Sequence, residues 1–171
     1  MVKFNIMNMK FVIFFVLSVF IISCGSTKTN ICVKESDNIL IRWGEFSNSE
    51  QIFRGWELNS KREIFAYSAK SESEKVRGSY ITQIEVEEYC NFLKELKQLF
   101  LKNNVLNVPG ENLHFIEYED KNSNVNLRAV WVPQHLNVGN KEFKKLFLKI
   151  INAIPEKSDL KNKLISREKI E

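Results

Sequence analysis

A cysteine at the end of an apolar segment is the first side chain whose position suggests chemistry. Cys24 follows the apolar run Phe11–Ile22, and the run follows two lysines, Lys3 and Lys10. As a helix, the twelve residues of this run would span roughly 18 Å, whereas the hydrocarbon core of a bilayer is about 30 Å thick. The run is therefore too short for an ordinary membrane-spanning helix and is typical of a secretory signal.

The residues around Cys24 resemble the signal sequence of bacterial lipoproteins. In that family a branched aliphatic residue, here Ile21, stands three positions before the cysteine, and a small residue, here Ser23, directly precedes it. The resemblance implies cleavage before Cys24, diacylglycerol on its thiol and a fatty acyl group such as palmitate on the new N-terminus. A plain secretory signal with a chance cysteine and an uncleaved anchor are the alternatives. Met7 and Met9 are alternative starts.

The same resemblance implies a location. Cys24 is followed by Gly25 and Ser26, not by the Asp that retains some lipoproteins in the inner membrane of Gram-negative bacteria. We therefore expect the protein in the outer membrane, facing the periplasm. The membrane would be its first partner, because two or three acyl chains bind far more firmly than one.

Composition predicts a single domain. Removal of residues 1–23 leaves 148 of the 171 residues, which is enough for one hydrophobic core. Only Lys3 and Lys10 are lost from the charged residues, so the net charge falls from +4 to +2. Without a basic block, nucleic acid is not expected as a partner. The predicted parts are a signal peptide (1–23), a polar tether (24–36), an α+β domain (37–155) and a charged C-terminal tail (156–171), frayed or disordered.

Residue types that bind metals are scarce in the predicted domain. His114 and His135, together with Glu117 or Glu119, are the only grouping that suggests a metal site. No HxH or HxxxH spacing joins them, although zinc sites commonly place their ligands at such short spacings. We therefore predict surface histidines, no metal and no cofactor.

Signatures of nucleophilic catalysis are also missing. The sequence has no G-x-S-x-G motif, and its isolated glycines form no phosphate-binding loop. Cys90 has no basic neighbour in sequence, and Glu87 and Glu88 fall on the polar side of a predicted helix. We predict that the protein is not an enzyme, with a hydrolase of unrecognised site as an alternative.

Two cysteines remain once Cys24 is assigned to lipid. Cys32 and Cys90 would then lie in an oxidising compartment, where disulfides persist. One alternative is a disulfide that joins the tether to the first helix. The other is two independent cysteines that pack as small apolar residues.

Three arginines lie close to tryptophans on predicted strands. The pairs are Arg42 with Trp43, Arg54 with Trp56 and Arg128 with Trp131. Arginine recognises anionic and aromatic groups, so one hypothesis is that Arg42, Arg54 and Arg128 line an exposed sheet face that binds a partner. The alternative is that the tryptophans pack under the helices and the arginines are only solvated. Neighbouring residues of a strand face opposite ways, which favours the alternative for Arg42 and Trp43.

Five strands and two helices must position these residues. Alternating apolar residues predict strands over Ile39–Trp43, Ile52–Leu58, Ile64–Tyr67, Leu113–Glu119 and Val125–Val132. Residues 70–79 are expected to form a polar loop. Thr82 and Glu85 form a Thr-x-x-Glu capping box before the first helix. The second helix is expected to begin at Asn140 and to end at Pro155.

The predicted order β-β-β-α-β-β-α indicates the α+β class. Both helices are apolar on one stripe only, so they can share one face of a single antiparallel sheet in a two-layer sandwich. This order, with FRGWEL at 53–58 and LHFIEYED at 113–120, is similar to small, mostly uncharacterised bacterial lipoproteins over Asn38–Pro155. The resemblance implies no catalytic residues.

We therefore expect a lipid-anchored protein of the cell envelope with a non-catalytic binding or assembly role. Its second partner would be an envelope protein. An inhibitor or immunity lipoprotein that blocks an envelope-directed enzyme or toxin is the alternative from another functional class.

Overall fold

The computed structural model describes Cys32 and residues 38–70, 74–103, 106–134, 140–155 and 158–168. These residues contain six strands and three helices. The strands are β1 (Ile39–Ser47), β2 (Ile52–Leu58), β3 (Glu63–Ala69), β4 (Lys75–Gln83), β5 (Asn112–Asp120) and β6 (Val125–Trp131), and the helices are α1 (Val86–Lys102), α2 (Lys141–Asn152) and α3 (Asp159–Glu168). Cys24, the segment before it and His135 lie outside the described residues.

All six strands form one antiparallel sheet in the order β4-β3-β2-β1-β5-β6. The α+β class and the antiparallel sheet are confirmed, but the expected count of five strands was wrong. The additional strand, β4, covers the second half of the segment 70–79 that we expected to be a polar loop. It lies at the edge of the sheet and is mostly exposed, so it lacks the alternation of apolar residues from which strands are predicted.

The first helix does not begin as predicted. Glu85 rather than Thr82 occupies the N-cap position of α1, and its side chain makes no capping hydrogen bond. Thr82 instead belongs to β4, where it lies opposite Ile64 of β3. The predicted capping box was therefore wrong, because Thr82 is part of a strand and does not cap the helix.

The C-terminal residues form a helix that is attached to the core. α2 has Asn140 at its N-cap position, as predicted. α3 follows where a frayed helix or a disordered tail was expected. Leu164 of α3 is fully buried, and Lys161 Nζ donates a hydrogen bond to the backbone oxygen of Ile154. These contacts hold α3 against the domain.

The helices pack on one face of the sheet. A single buried cluster joins apolar residues of all three helices to Trp43 of β1 and Trp56 of β2. Trp131 of β6 stacks on Phe143 and meets Phe147 edge-on, and both phenylalanines belong to α2. The tryptophans therefore lie under the helices. No helix in the described ranges is long and apolar enough to cross a membrane.

Two glycines face each other on the side of the sheet away from the helices. Gly44 of β1 pairs with Gly55 of β2, and Tyr67 of β3 and Phe115 of β5 continue the same row. Both rings belong to a second buried cluster, which occupies the space above the two glycines. A Cβ atom at Gly55 would lie 1.9 Å from the backbone oxygen of Trp43. The close approach of the two strands therefore requires glycine.

The sheet is strongly curled around this side. Lys75 of β4 and Glu119 of β5 lie four strands apart, and in a flat sheet four strand spacings amount to about 19 Å. Lys75 Nζ nevertheless lies 3.5 Å from Glu119 Oε2. Register shifts between β3 and β4 at Phe65 add local twist. The start of β4 therefore folds over the side opposite the helices, which we call the concave face.

The substitution Gly55→Ala should destabilise the domain by at least about 2 kcal/mol, because the new methyl group meets backbone that cannot move without breaking the β1–β2 pairing. Urea unfolding of the purified domain measures this loss. Gly78→Ala is the matched control, since the nearest atom to its Cβ would be the side-chain Cβ of Ala66 at 3.0 Å, and the nearest backbone atom would be the oxygen of Ala66 at 3.5 Å. A loss for Gly55→Ala no larger than that for Gly78→Ala would contradict the account of the close strand approach.

Candidate functional site: an ion-pair network on the concave face

A buried arginine lies at the centre of the concave face. Arg42 of β1 is only 3% exposed. Its Nε donates a hydrogen bond to Glu57 Oε2 at 2.7 Å, and its Nη1 donates to Glu117 Oε1 at 2.6 Å. Nη1 also donates to Glu119 Oε2. One guanidinium is thus shared by three carboxylates from two neighbouring strands.

The strand register brings these charges together. Arg42 lies directly opposite Glu57 of β2 and directly opposite Glu117 of β5, and Glu117 in turn lies opposite Arg128 of β6. Directly opposed residues on antiparallel strands have Cβ atoms about 5 Å apart. The four side chains therefore form one row across the sheet in which negative and positive charges alternate.

The curled edge strand adds two more cations. Arg77 of β4 pairs with Glu57, and Lys75 of β4 approaches Glu119. Arg128 pairs with Glu117. Each carboxylate of the network consequently has two cationic partners, one of which is Arg42.

The network shifts the pKa values of Arg42 and Glu119 toward their charged forms. Burial alone would lower the pKa of Arg42, but the hydrogen bond to Glu119 and the charges of Glu57 and Glu117 raise it above its ordinary value. Burial alone would raise the pKa of Glu119, but the hydrogen bond and charge of Arg42 and the charge of Lys75 lower it. Both shifts favour the charged forms of Arg42 and Glu119.

Aromatic rings cover the cations. The guanidinium of Arg42 lies 5.2 Å from the ring centre of Tyr67, and that of Arg128 lies 4.5 Å from the ring centre of Phe53. Phe53 also meets Phe115 edge-on at 5.0 Å. The apolar cluster on the concave face thus adjoins the ion pairs. The pairs of Arg42 with Glu57 and Glu117 are buried, which strengthens their attraction.

The three arginines that one of the two hypotheses placed on one exposed face do not share a face. Arg42 and Arg128 both lie on the concave face, where carboxylates bind them. Arg54 lies opposite Glu45 on the helix side of the sheet and pairs with Glu50 near the surface. Alternation along β2 explains the difference, because Arg54 shares a face with Trp56 and not with Glu57. No common arginine surface therefore results from this geometry.

The buried histidine packs in the core instead of facing solvent. His114 of β5 is fully buried, which contradicts the expected surface position. Its ring stacks on Phe147 at 4.7 Å and meets Trp131 edge-on. Glu45 lies opposite His114 across the strands, and its carboxylate accepts hydrogen bonds from Lys163 and Arg167 of α3. α3 is thus attached to this part of the sheet by two ion pairs.

The cysteine of the predicted tether and the cysteine of the predicted domain are joined. Cys32 forms a disulfide with Cys90 of α1, with 5.9 Å between their Cα atoms. The thiol of Cys90 is therefore not free to act as a nucleophile, and the first of the two alternatives from the sequence is the one that the structure contains.

Two further features of the described residues bear on chemistry: the placement of metal-binding side chains and a pocket between two helices. In the part of the chain that the structure describes, no three His, Cys, Asp or Glu side chains are placed to hold a metal ion. A pocket of about 430 Å³ lies between α1 and α2, lined by Leu99 and Leu146 with charged residues around them. Its Glu95 forms an ion pair with Lys149. The pocket contains no histidine.

The outer edge of β4 is uncovered. Among the described residues no strand pairs with this edge, and Val76 and Tyr80 on it are each 56% exposed. The opposite edge, β6, is partly covered, because Val130 exchanges backbone hydrogen bonds with Leu106 and Val108. β4 is thus the strand edge to which a further strand has the clearest access.

The ion-pair role of the three carboxylates and the edge strand β4 were not predicted from the sequence. The face of the sheet on which Glu57 and Glu117 lie was predictable, because each glutamate alternates along its strand with apolar residues that face the other way. Their pairing with Arg42 depends on register between strands that are distant in sequence. β4 gave no signal because its mostly polar sequence is typical of a loop.

No protein-family model matches the chain, and no similar protein was found among the curated proteins or the solved structures. The site is therefore interpreted from its own geometry.

The substitution Arg42→Met should cost about 3–5 kcal/mol of unfolding free energy, because it leaves buried carboxylates without their shared counter-charge. The matched control is Arg54→Met, which removes an ion pair whose side chains are 43% and 51% exposed and should cost less than about 1 kcal/mol. Denaturant unfolding at low and high salt measures both. Similar losses for the two variants would show that the network does not stabilise the sheet.

Proposed function

We propose that the protein is a lipid-anchored component of the bacterial cell envelope with a non-catalytic role in binding or assembly. The observation that carries this proposal is the stretch from Ile21 to Cys24 at the end of the apolar run. It provides the aliphatic residue, the small residue and the thiol that lipid attachment requires. The absence of Asp after Cys24 favours the outer membrane, with the domain facing the periplasm.

The chemistry of the domain supports a non-catalytic role. General acids and bases need access to substrate and a pKa close to the working pH. The carboxylates of Glu57 and Glu117 are almost completely buried and bound by arginines, and His114 is enclosed by aromatic rings. These groups are therefore suited to stabilising the sheet.

The uncovered edge of β4 supports a role in binding. An extended segment of another protein can add to such an edge through main-chain hydrogen bonds, and side chains beside the edge then provide selectivity. Monomeric proteins usually protect long edge strands with bulges and charged residues. β4 has register shifts and carries Lys75 and Arg77, but these two charges form ion pairs on the concave face, and Val76 and Tyr80 are each 56% exposed. The proposed partner is an envelope protein that contributes one extended segment.

The anchor is tested by replacing its thiol. Cys24→Ser should abolish incorporation of a clickable fatty-acid analogue in cells and release the protein from the membrane fraction, because the acyl chains supply the binding free energy. Cys32→Ser is the matched control and should keep the label. Equal labelling of the Cys24→Ser variant and the wild type would refute the proposal.

The binding edge is tested by site-specific photo-crosslinking in the native envelope. A photoreactive residue at Tyr80 should give one discrete adduct with another protein. Lysine at Val76 and Tyr80 should reduce the yield of the same adduct, trapped from position 83, at least about tenfold, because charged residues on an edge oppose strand addition.

The control uses Leu101 of α1, which is 87% exposed. A photoreactive residue at position 101 should not trap this partner, and Leu101→Lys should leave the adduct yield unchanged. Equal trapping from positions 80 and 101 would contradict binding at β4. The identity of the trapped protein separates an assembly role from inhibition of an envelope-directed enzyme or toxin.

A further inference from the structure

The disulfide changes the place at which the membrane tether joins the domain. Without it, the chain between Cys24 and the first residue of the described body, Asn38, is fourteen residues long. With it, the chain is attached at Cys32, eight residues after Cys24. A polypeptide extends at most about 3.6 Å per residue. The upper limit of the tether therefore falls from about 50 Å to about 29 Å.

The attachment point lies at one end of the sheet. Cys90 is close to the start of α1, and that start lies beside the β2–β3 turn, because the backbone nitrogen of Ile84 donates a hydrogen bond to the backbone oxygen of Arg62. Asn38 lies at the same end of the sheet, next to the β5–β6 turn, where its backbone oxygen accepts a hydrogen bond from Lys121. We call this the tether end.

The β1–β2 turn lies at the other end. Residues 48–51 connect the strands there, and β2 runs seven residues from this turn to the tether end. At about 3.3 Å per residue, the two ends are roughly 20 Å apart along the strand. We call the end at residues 48–51 the distal end.

We propose that the Cys32–Cys90 disulfide acts as a short leash that holds the tether end of the domain toward the bilayer and directs the distal end away from it. The inference rests on the proposed lipid anchor at Cys24. The cross-link adds only 5.9 Å between Cα atoms, so Cys90 stays within about 35 Å of the lipidated residue. The partner at the tether end is the lipid surface, and the distal end is left open to the aqueous phase.

The experiment uses the full-length lipidated protein reconstituted into vesicles that carry a fluorescent acceptor on a headgroup. A donor amino acid that needs no cysteine is introduced at Asn91, beside Cys90, or at Gln51 in the distal turn. Both positions are exposed, and neither belongs to the ion-pair network. Energy transfer from Asn91 should exceed that from Gln51 by at least about twofold, because transfer falls steeply over the roughly 20 Å between the ends.

The cross-link is then removed or made ineffective. Cys32→Ser together with Cys90→Ser should lower energy transfer from position 91, because the limit set by eight residues becomes one set by fourteen. A second variant keeps the disulfide and inserts six Gly/Ser residues after Ser26, which restores a fourteen-residue span. It should give the same decrease even if loss of the disulfide disturbs folding.

The outcomes separate the two proposals. Protein that does not float with the vesicles refutes the lipid anchor, and the leash is refuted with it. Protein that floats but shows equal transfer from both positions, or transfer from position 91 that is unchanged by the six-residue insertion, overturns the leash alone.

Discussion

The buried guanidinium of Arg42 is the constraint on which the sheet depends. A charge removed from water is costly unless counter-charges and hydrogen bonds replace the water. No residue of β1 itself bonds to this guanidinium among the described contacts, so β2 and β5 must bring Glu57 and Glu117 beside it. The order of the central strands and their register therefore have to be correct together. If β2 or β5 slipped by one residue against β1, its carboxylates would point to the opposite face of the sheet from Arg42.

The curl of the sheet follows from the same requirement. The helices cover only one face, so the charged row would meet solvent if the sheet were flat. The glycine pair Gly44–Gly55 lets the strands approach closely, and β4 then folds over the row with Lys75 and Arg77. In this way a sheet with helices on one side has two buried faces, one apolar and one that combines the ion-pair network with a smaller apolar cluster.

Most of the central sheet was predictable because its strands carry alternating apolar residues. On β1, Ile39, Ile41 and Trp43 repeat on one face at a period of two. The helix stripe around Phe92 and Leu96 is equally regular. Local alternation says nothing about which strands are neighbours, so the partners of Arg42 stayed hidden. It also depends on burial, so the exposed strand β4 and the charged helix α3 lacked the pattern and were assigned to a loop and a tail.

The Cys32–Cys90 disulfide also affects the free energy of folding. It closes a chain segment with a sequence separation of 58 residues, and a loop of this length reduces the entropy of the unfolded chain enough to favour folding by about 4 kcal/mol in the chain-entropy model. Thiols stay reduced in the cytoplasm and become oxidised outside it. Under the proposed export, a chain awaiting secretion would lack this contribution, so the domain would be least resistant to unfolding before export and most resistant after it.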